Sequence, residues 1–161
     1  MPILVILLLA VVSAVIFLIF FNRQVIVPSS ISQQANFVIF YPQPSQQVTV
    51  QIKTFKYDPT NKQVSFIVSF SGRNITFAEQ GSPDSFADDP NFYSQFITKL
   101  NGYTTFGSVN GTVDLTRPSE VKNETAVMNA KGTLLFANSN GDISEDNWKS
   151  LFNVLHYTQP N

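Results

Sequence analysis

The feature that most constrains this chain is an uninterrupted apolar run near its start. Ile3 to Phe21 reads ILVILLLAVVSAVIFLIFF, with Ser13 as its sole polar residue and no charged one. As an α-helix the run spans roughly 28 Å, close to the hydrocarbon thickness of a bilayer. A helix that is apolar all round for this length does not suit the core of a small domain, so it reads as a transmembrane helix. A cleaved signal peptide would need a basic n-region, a shorter apolar stretch and a small-x-small site. Only Met1 and Pro2 stand before the run, and cleavage after Ala14 would cut it in the middle. The expectation is an uncleaved signal anchor over 3–21. A type IV pilin helix would carry a Glu near its start, and this run has none.

Orientation rests on two opposing signals. Arg23, the nearest basic residue, would hold the following domain in the cytoplasm by the positive-inside rule. The rest of the chain is rich in Ser, Thr, Asn and Gln and has no cysteine, a profile common in exported domains. The second signal is drawn from many more residues. The expected location is therefore the cell membrane, single-pass, with the C-terminal domain outside the cytoplasm.

About 130 residues follow the anchor, enough for one hydrophobic core. Fifteen phenylalanines spread along the 161 residues argue for a folded domain and against disorder. The formal net charge of −1 and a pI near 5.7 give no basic footprint for nucleic acid. With no cysteine, disulfides, thiol nucleophiles and thiolate metal sites are excluded.

Residues 22–35, NRQVIVPSSISQQA, read as a polar linker that lifts the domain off the bilayer. Beyond it, periodicity alternates between strand and helix. Residues 37–41 form a short aromatic strand signal that ends at Pro42. Val48, Val50, Ile52 and Phe55 interleave with polar residues, with an irregularity near Thr54. Val64, Phe66, Val68 and Phe70 alternate again, Ser71–Asn74 reads as a hairpin turn, and 74–80 as the returning strand. Residues 48–80 are thus expected to form a three-stranded antiparallel meander, and 81–90 a loop.

Phe92, Phe96 and Leu100 recur every four residues behind a possible Asp88 or Asp89 cap, and predict an amphipathic helix ended by Asn101-Gly102. Residues 103–115 read as a strand pair or a single bulged strand around Asn110-Gly111, and further strands are expected over 125–130 and 132–137. Asp142 with Glu145 resembles a capping box for a last helix. Trp148, Leu151, Phe152 and Leu155 make its apolar stripe, and 157–161 a frayed tail. The predicted fold class is α+β: an antiparallel sheet of six or seven strands with two amphipathic helices on one face, over a domain at 36–157.

Three segments carry a resemblance. VSFIVSFSGRNITFAEQ (64–80), FGSVNGTV (106–113) and TLLFANSNGDISEDNWKSLFNVL (133–155) resemble a bacterial membrane-anchored domain of unknown function. That domain occurs at the C-terminus of anti-sigma-factor-like proteins. It is similar in outline to lipoprotein-carrier folds, which have a curved antiparallel sheet with helices on its concave side. The resemblance spans roughly 36–156. It implies a fold and a membrane setting, and no active-site residues.

Residues that could carry chemistry are sparse. His156 is the single histidine, and no serine sits in a G-x-S-x-G pattern, so no triad is supported. Asp84, Asp88 and Asp89 cluster, but without the spaced ligands of a Ca²⁺ loop, and helix capping accounts for them more simply. Walker and dinucleotide fingerprints are absent, so no cofactor is implied. Sequons begin at Asn74, Asn110 and Asn123. The aromatic residues remain. Phe66, Phe70, Phe92, Phe96, Trp148 and Phe152 either pack a plain core or line a cavity for a lipid or other apolar ligand between sheet and helices. The leading expectation is a non-enzymatic binding or envelope-organising domain, whose partner could be a protein. The alternative is a carrier or sensor of an apolar ligand, and an enzyme ranks third.

Overall fold

Alternating side chains build most of the protein, and two-residue turns set its register. The computed structural model describes residues 27–119 and 123–158. The anchor expected over 3–21 lies outside them, as does 22–26 of the expected linker. Among the described residues no helix is long and apolar enough to cross a membrane.

Strands β2 (Val48–Asp58), β3 (Gln63–Phe70) and β4 (Arg73–Gly81) form the expected antiparallel meander. Ser71 and Gly72 both take positive φ, 49° and 78°, so the β3–β4 turn has the twist that a tight hairpin needs. Two short helices follow, α2 (Asp84–Asp88) and α3 (Pro90–Lys99). Four more strands then run as a second meander: β5 (Gly102–Ser108), β6 (Gly111–Thr116), β7 (Thr125–Ala130) and β8 (Thr133–Ser139). Lys131 and Gly132, at φ 51° and 72°, turn β7 into β8 by the same device. The strand order is β2-β3-β4-β8-β7-β6-β5, antiparallel throughout. The α2–α3 excursion therefore carries the chain from the centre of the sheet to its far edge.

A bulge between Gln51 and Lys56 shifts the inward phase of β2. Val48 and Val50 point inward before it and Phe55 after it, while Ile52 is left 49% exposed rather than in the apolar row expected of it. The Thr54 hydroxyl satisfies the bulge. It donates to the Gln51 carbonyl at 2.6 Å and accepts the Ile67 N–H at 2.8 Å.

The main core lies on the face covered by helix α4 (Glu145–Asn153). Phe55, Phe66 and Phe77 stack across three neighbouring strands at centroid spacings of 4.4 and 5.1 Å. Trp148, Leu151 and Phe152 drop onto the same face fully buried, as their spacing predicts. The cap of α4 is Ser144, whose hydroxyl accepts the Asn147 N–H, and not Asp142, which stays exposed. The reason is local: Ile143 turns into the core, so the helix starts after it.

Several expectations are corrected. The two long helices do not share a face. Phe136 and Asp114 point away from the main core, and it is to them that Phe96 and Tyr93 of α3 attach. The sheet is apolar on both sides at β7–β8, where Val127 and Leu134 are buried outside the main cluster, so each face needs its own cover. Residues 27–35 are no free linker: Val27, Ile31 and Ala35 are buried in the core, and Ser29–Ser32 forms a helical turn, α1. The stretch 81–90 is not all loop, since it holds α2. Nor does the tail begin at 157. Strand β9 (Leu155–Tyr157) pairs with β1 (Phe40–Pro42) in a separate two-stranded ribbon.

Helix α3 is the most lightly held long element. None of its residues is buried to the level of the core, and its first turn depends on Asp89, whose carboxyl accepts the Asn91 N–H at 2.9 Å. Asp89→Ala is expected to cost about 1 kcal/mol. The loss should appear in hydrogen exchange as faster opening of the 90–99 amides alone, with β3, β4 and β8 unchanged. A uniform acceleration across the sheet would show instead that α3 opens only with the whole domain.

Candidate binding clefts beside helix α3

The six aromatic residues singled out in the sequence divide into two groups. Phe66, Phe70, Trp148 and Phe152 are buried together on the α4 face. Phe106 of β5 meets Phe152 edge-on at 6.2 Å, and Trp148 lies 6.2 Å from the Phe152 ring, so aromatic packing fills the space between α4 and the sheet. Phe96 is on the other face, under α3, with its ring 5.4 Å from Phe86 and 6.1 Å from Phe136. Phe92 points outward and is 51% exposed. The sequence could not separate these groups, because helix periodicity shows that a face is apolar and not which side of a sheet it meets.

Two clefts open on the α3 side. One cleft, about 520 Å³, runs between α3 and the β5–β6 hairpin, and Tyr93, Ile97, Tyr103, Thr105, Thr112 and Asp114 line it. A second, about 420 Å³, opens at the other flank of α3 over Ala78, Leu100, Pro118 and Phe136, with Lys99 at its border. Both volumes lie in the range of small-molecule sites.

Asp114 organises the first cleft. It is 8% exposed, and its two oxygens accept from the Tyr93 hydroxyl at 2.9 Å and the Thr105 hydroxyl at 2.7 Å. Burial, and then the adjoining Asp114, push the Tyr93 hydroxyl far above its ordinary range. Tyr93 is therefore a fixed neutral donor and not a base. Tyr103 forms the outer wall. Its hydroxyl donates to Glu124, its ring carries the Arg117 guanidinium at 4.5 Å from the centroid, and burial followed by the Glu124 contact pushes its pKa up to about 12. Glu124 is 4% exposed and also accepts the Trp148 indole N–H, so a single carboxyl ties the cleft wall to the main core. Neither Asp114 nor Glu124 was singled out from sequence. One sits mid-strand and the other in a loop, and nothing local distinguishes them.

A third buried acid, Glu79, is fully enclosed on β4, facing the main core between Val64 and Leu135 of the neighbouring strands. Its Oε2 accepts the Phe40 N–H at 2.9 Å, and its Oε1 has no partner among the described residues. Burial raises its pKa well above the usual carboxyl range.

The other candidates have plain positions. His156 lies opposite Tyr41 in the β1–β9 ribbon, and it is exposed. Asp84 and Asp88 sit at the two ends of α2, and no group of three or more potential metal ligands occurs among the described residues. Of the sequon asparagines, Asn74 is exposed at the start of β4, Asn123 is half-buried, and Asn110 donates its side-chain amide to the Leu155 carbonyl at 2.9 Å.

Compared with known proteins, the chain matches no protein-family model, no curated protein and no solved structure.

Proposed function

We propose that this chain is a single-pass membrane protein whose extracytoplasmic α+β domain works by binding and not by catalysis, through the α3 face of its sheet. The observation that carries the reading is the asymmetry between the two faces. Aromatic packing fills the α4 side, while clefts flank the lightly held α3. The acids that could do proton chemistry are committed elsewhere: Asp114 and Glu124 accept from structural hydroxyl and indole donors, and Glu79 is shut inside the core. The apolar run at 3–21 and the resemblance to a bacterial membrane-anchored domain support the tether. At most five residues then separate an anchor ending at Phe21 from Val27, which is buried in the core, a reach of at most about 20 Å. The domain would work close to the bilayer surface.

A second reading is favoured by the second cleft. Leu100, Ala78 and Phe136, with the polar Thr76 and Asn138 and the cation of Lys99 in the same lining, suit an anionic amphiphile, so the carrier alternative, expected between sheet and helices, is proposed for this cleft. Protease added to intact cells is expected to remove the domain and leave the anchor. A domain cut only after lysis would overturn the outward topology. Native mass spectrometry of the full chain released from lipid nanodiscs tests the second reading. A solvent-extractable adduct supports an amphiphile carrier, and a clean mass sends the search to the first cleft.

A further inference from the structure

We propose that the cleft between α3 and the β5–β6 hairpin is a site for a neutral saccharide. The inference rests on the reading that the α3 face is the binding face, and it adds the class of ligand. The lining combines two tyrosines and the hydroxyls of Thr98, Thr105 and Thr112 with one carboxyl, and contains no Lys, Arg or His. Hydroxyl groups donate and accept in any direction, so such a wall matches a ligand that is itself covered in hydroxyls. Tyr93, Tyr103, Thr98 and Thr105 already donate within the protein, so what they offer a ligand is acceptor lone pairs, which a purely apolar ligand would not use. An anionic ligand would meet Asp114, while the nearest guanidinium, that of Arg117, lies over the Tyr103 ring and 3.8 Å from Glu124.

The second requirement for holding a sugar is a flat apolar surface held still. Tyr103 supplies it. The ring is 47% exposed although its hydroxyl is bonded to Glu124 and one of its faces is covered by Arg117. Its position is thus set before any ligand arrives, and ordering it on binding costs little. The free ring surface, with its negative π-face, is left for the C–H face of a pyranose. Asp114 completes the arrangement from below. It draws the Tyr93 and Thr105 hydroxyl hydrogens inward, which turns the lone pairs of those oxygens toward the cleft as acceptors.

The test uses the full chain in phosphatidylcholine nanodiscs, which avoids sugar-based detergents, with ¹³C-labelled Thr and Ile methyl groups. Maltotetraose, cellotetraose and chitotetraose are titrated in turn, then dodecyl phosphate. The expected result is a saturable shift of the Thr105, Thr112 and Ile97 methyls with one of the saccharides, and no shift at Thr49 or Thr133. Tyr103→Ala should weaken that binding about tenfold. Tyr103→Phe, which keeps the ring and loses the Glu124 bond that fixes it, should weaken it clearly less than Tyr103→Ala, and Thr112→Val should weaken it a few-fold without changing the fold. Equal losses in Tyr103→Ala and Tyr103→Phe would overturn the stacking role. Shifts near α3 with dodecyl phosphate and none with any saccharide would sink the saccharide inference and leave the binding face standing. Silence of these methyls toward every probe would sink both.

Discussion

Replacing Glu79 with Gln should make the protein more stable at pH 8 and flatten its stability between pH 5 and pH 8. Glu79 is fully buried, has Val64 and Leu135 as its cross-strand neighbours, and keeps only the Phe40 N–H as a partner. Burial raises its pKa in the folded protein, with the Phe40 hydrogen bond opposing it weakly. In the unfolded chain it titrates near the ordinary value of 4.5. Below that pH the acid is neutral in both states and carries no ionisation penalty. As pH rises, the unfolded chain loses its proton while the folded one keeps it, and stability falls by up to about 1.4 kcal/mol per pH unit. The fall ends once pH passes the raised folded value. Gln keeps an oxygen for the Phe40 N–H and cannot ionise, so that slope should vanish in the variant. Urea unfolding of both proteins at pH 4, 6 and 8 measures it. Parallel curves would mean that Glu79 finds a partner or water for its second oxygen. The contact at stake joins β1, the first strand among the described residues, to the centre of the sheet.

Trp148→Ala is expected to cost about 3–5 kcal/mol, a large share of the stability of any domain this size. Trp148 is fully buried, packs on Phe152, and its indole N–H is donated to Glu124. The substitution leaves both a cavity and a carboxyl that has lost a donor. Trp148→Phe separates the two effects. It refills most of the space and still removes the N–H, so it should cost about 1–3 kcal/mol. Chemical denaturation gives both values. Equal costs would assign the whole effect to the hydrogen bond, and a cost below about 1 kcal/mol for Ala would show that the core collapses into the gap. Because Glu124 also holds Tyr103, the Ala variant should in addition loosen the outer wall of the larger cleft.

Much of the fold was legible because it rests on local rules. Alternation located β2, β3, β4, β7 and β8, and the stretch Ser71–Asn74 and the pair Lys131-Gly132 located their hairpins. The irregularity near Thr54 proved to be the bulge that turns Phe55 inward. The stripe Trp148, Leu151, Phe152 and Leu155 was buried as spaced, although Leu155 belongs to β9 and not to the helix. What failed depended on distant partners. β9 exists only because β1 offers it a strand 115 positions away in register, Phe40 opposite Tyr157 being 117 apart and Pro42 opposite Leu155 being 113 apart. The docking of 27–35 needs the core that the rest of the chain builds.

The sequence by itself determined the apolar run at 3–21, the α+β class, the meander over 48–80 and the apolar stripe of α4, since each is set by neighbours within a few positions. Only the tertiary structure decided which face each helix covers, and so where the open clefts lie. Side-chain period shows that a strand has two faces, but a long crossover such as α2–α3 can pass over either one. At β7–β8 both faces are apolar, and burying both divides the helices between them.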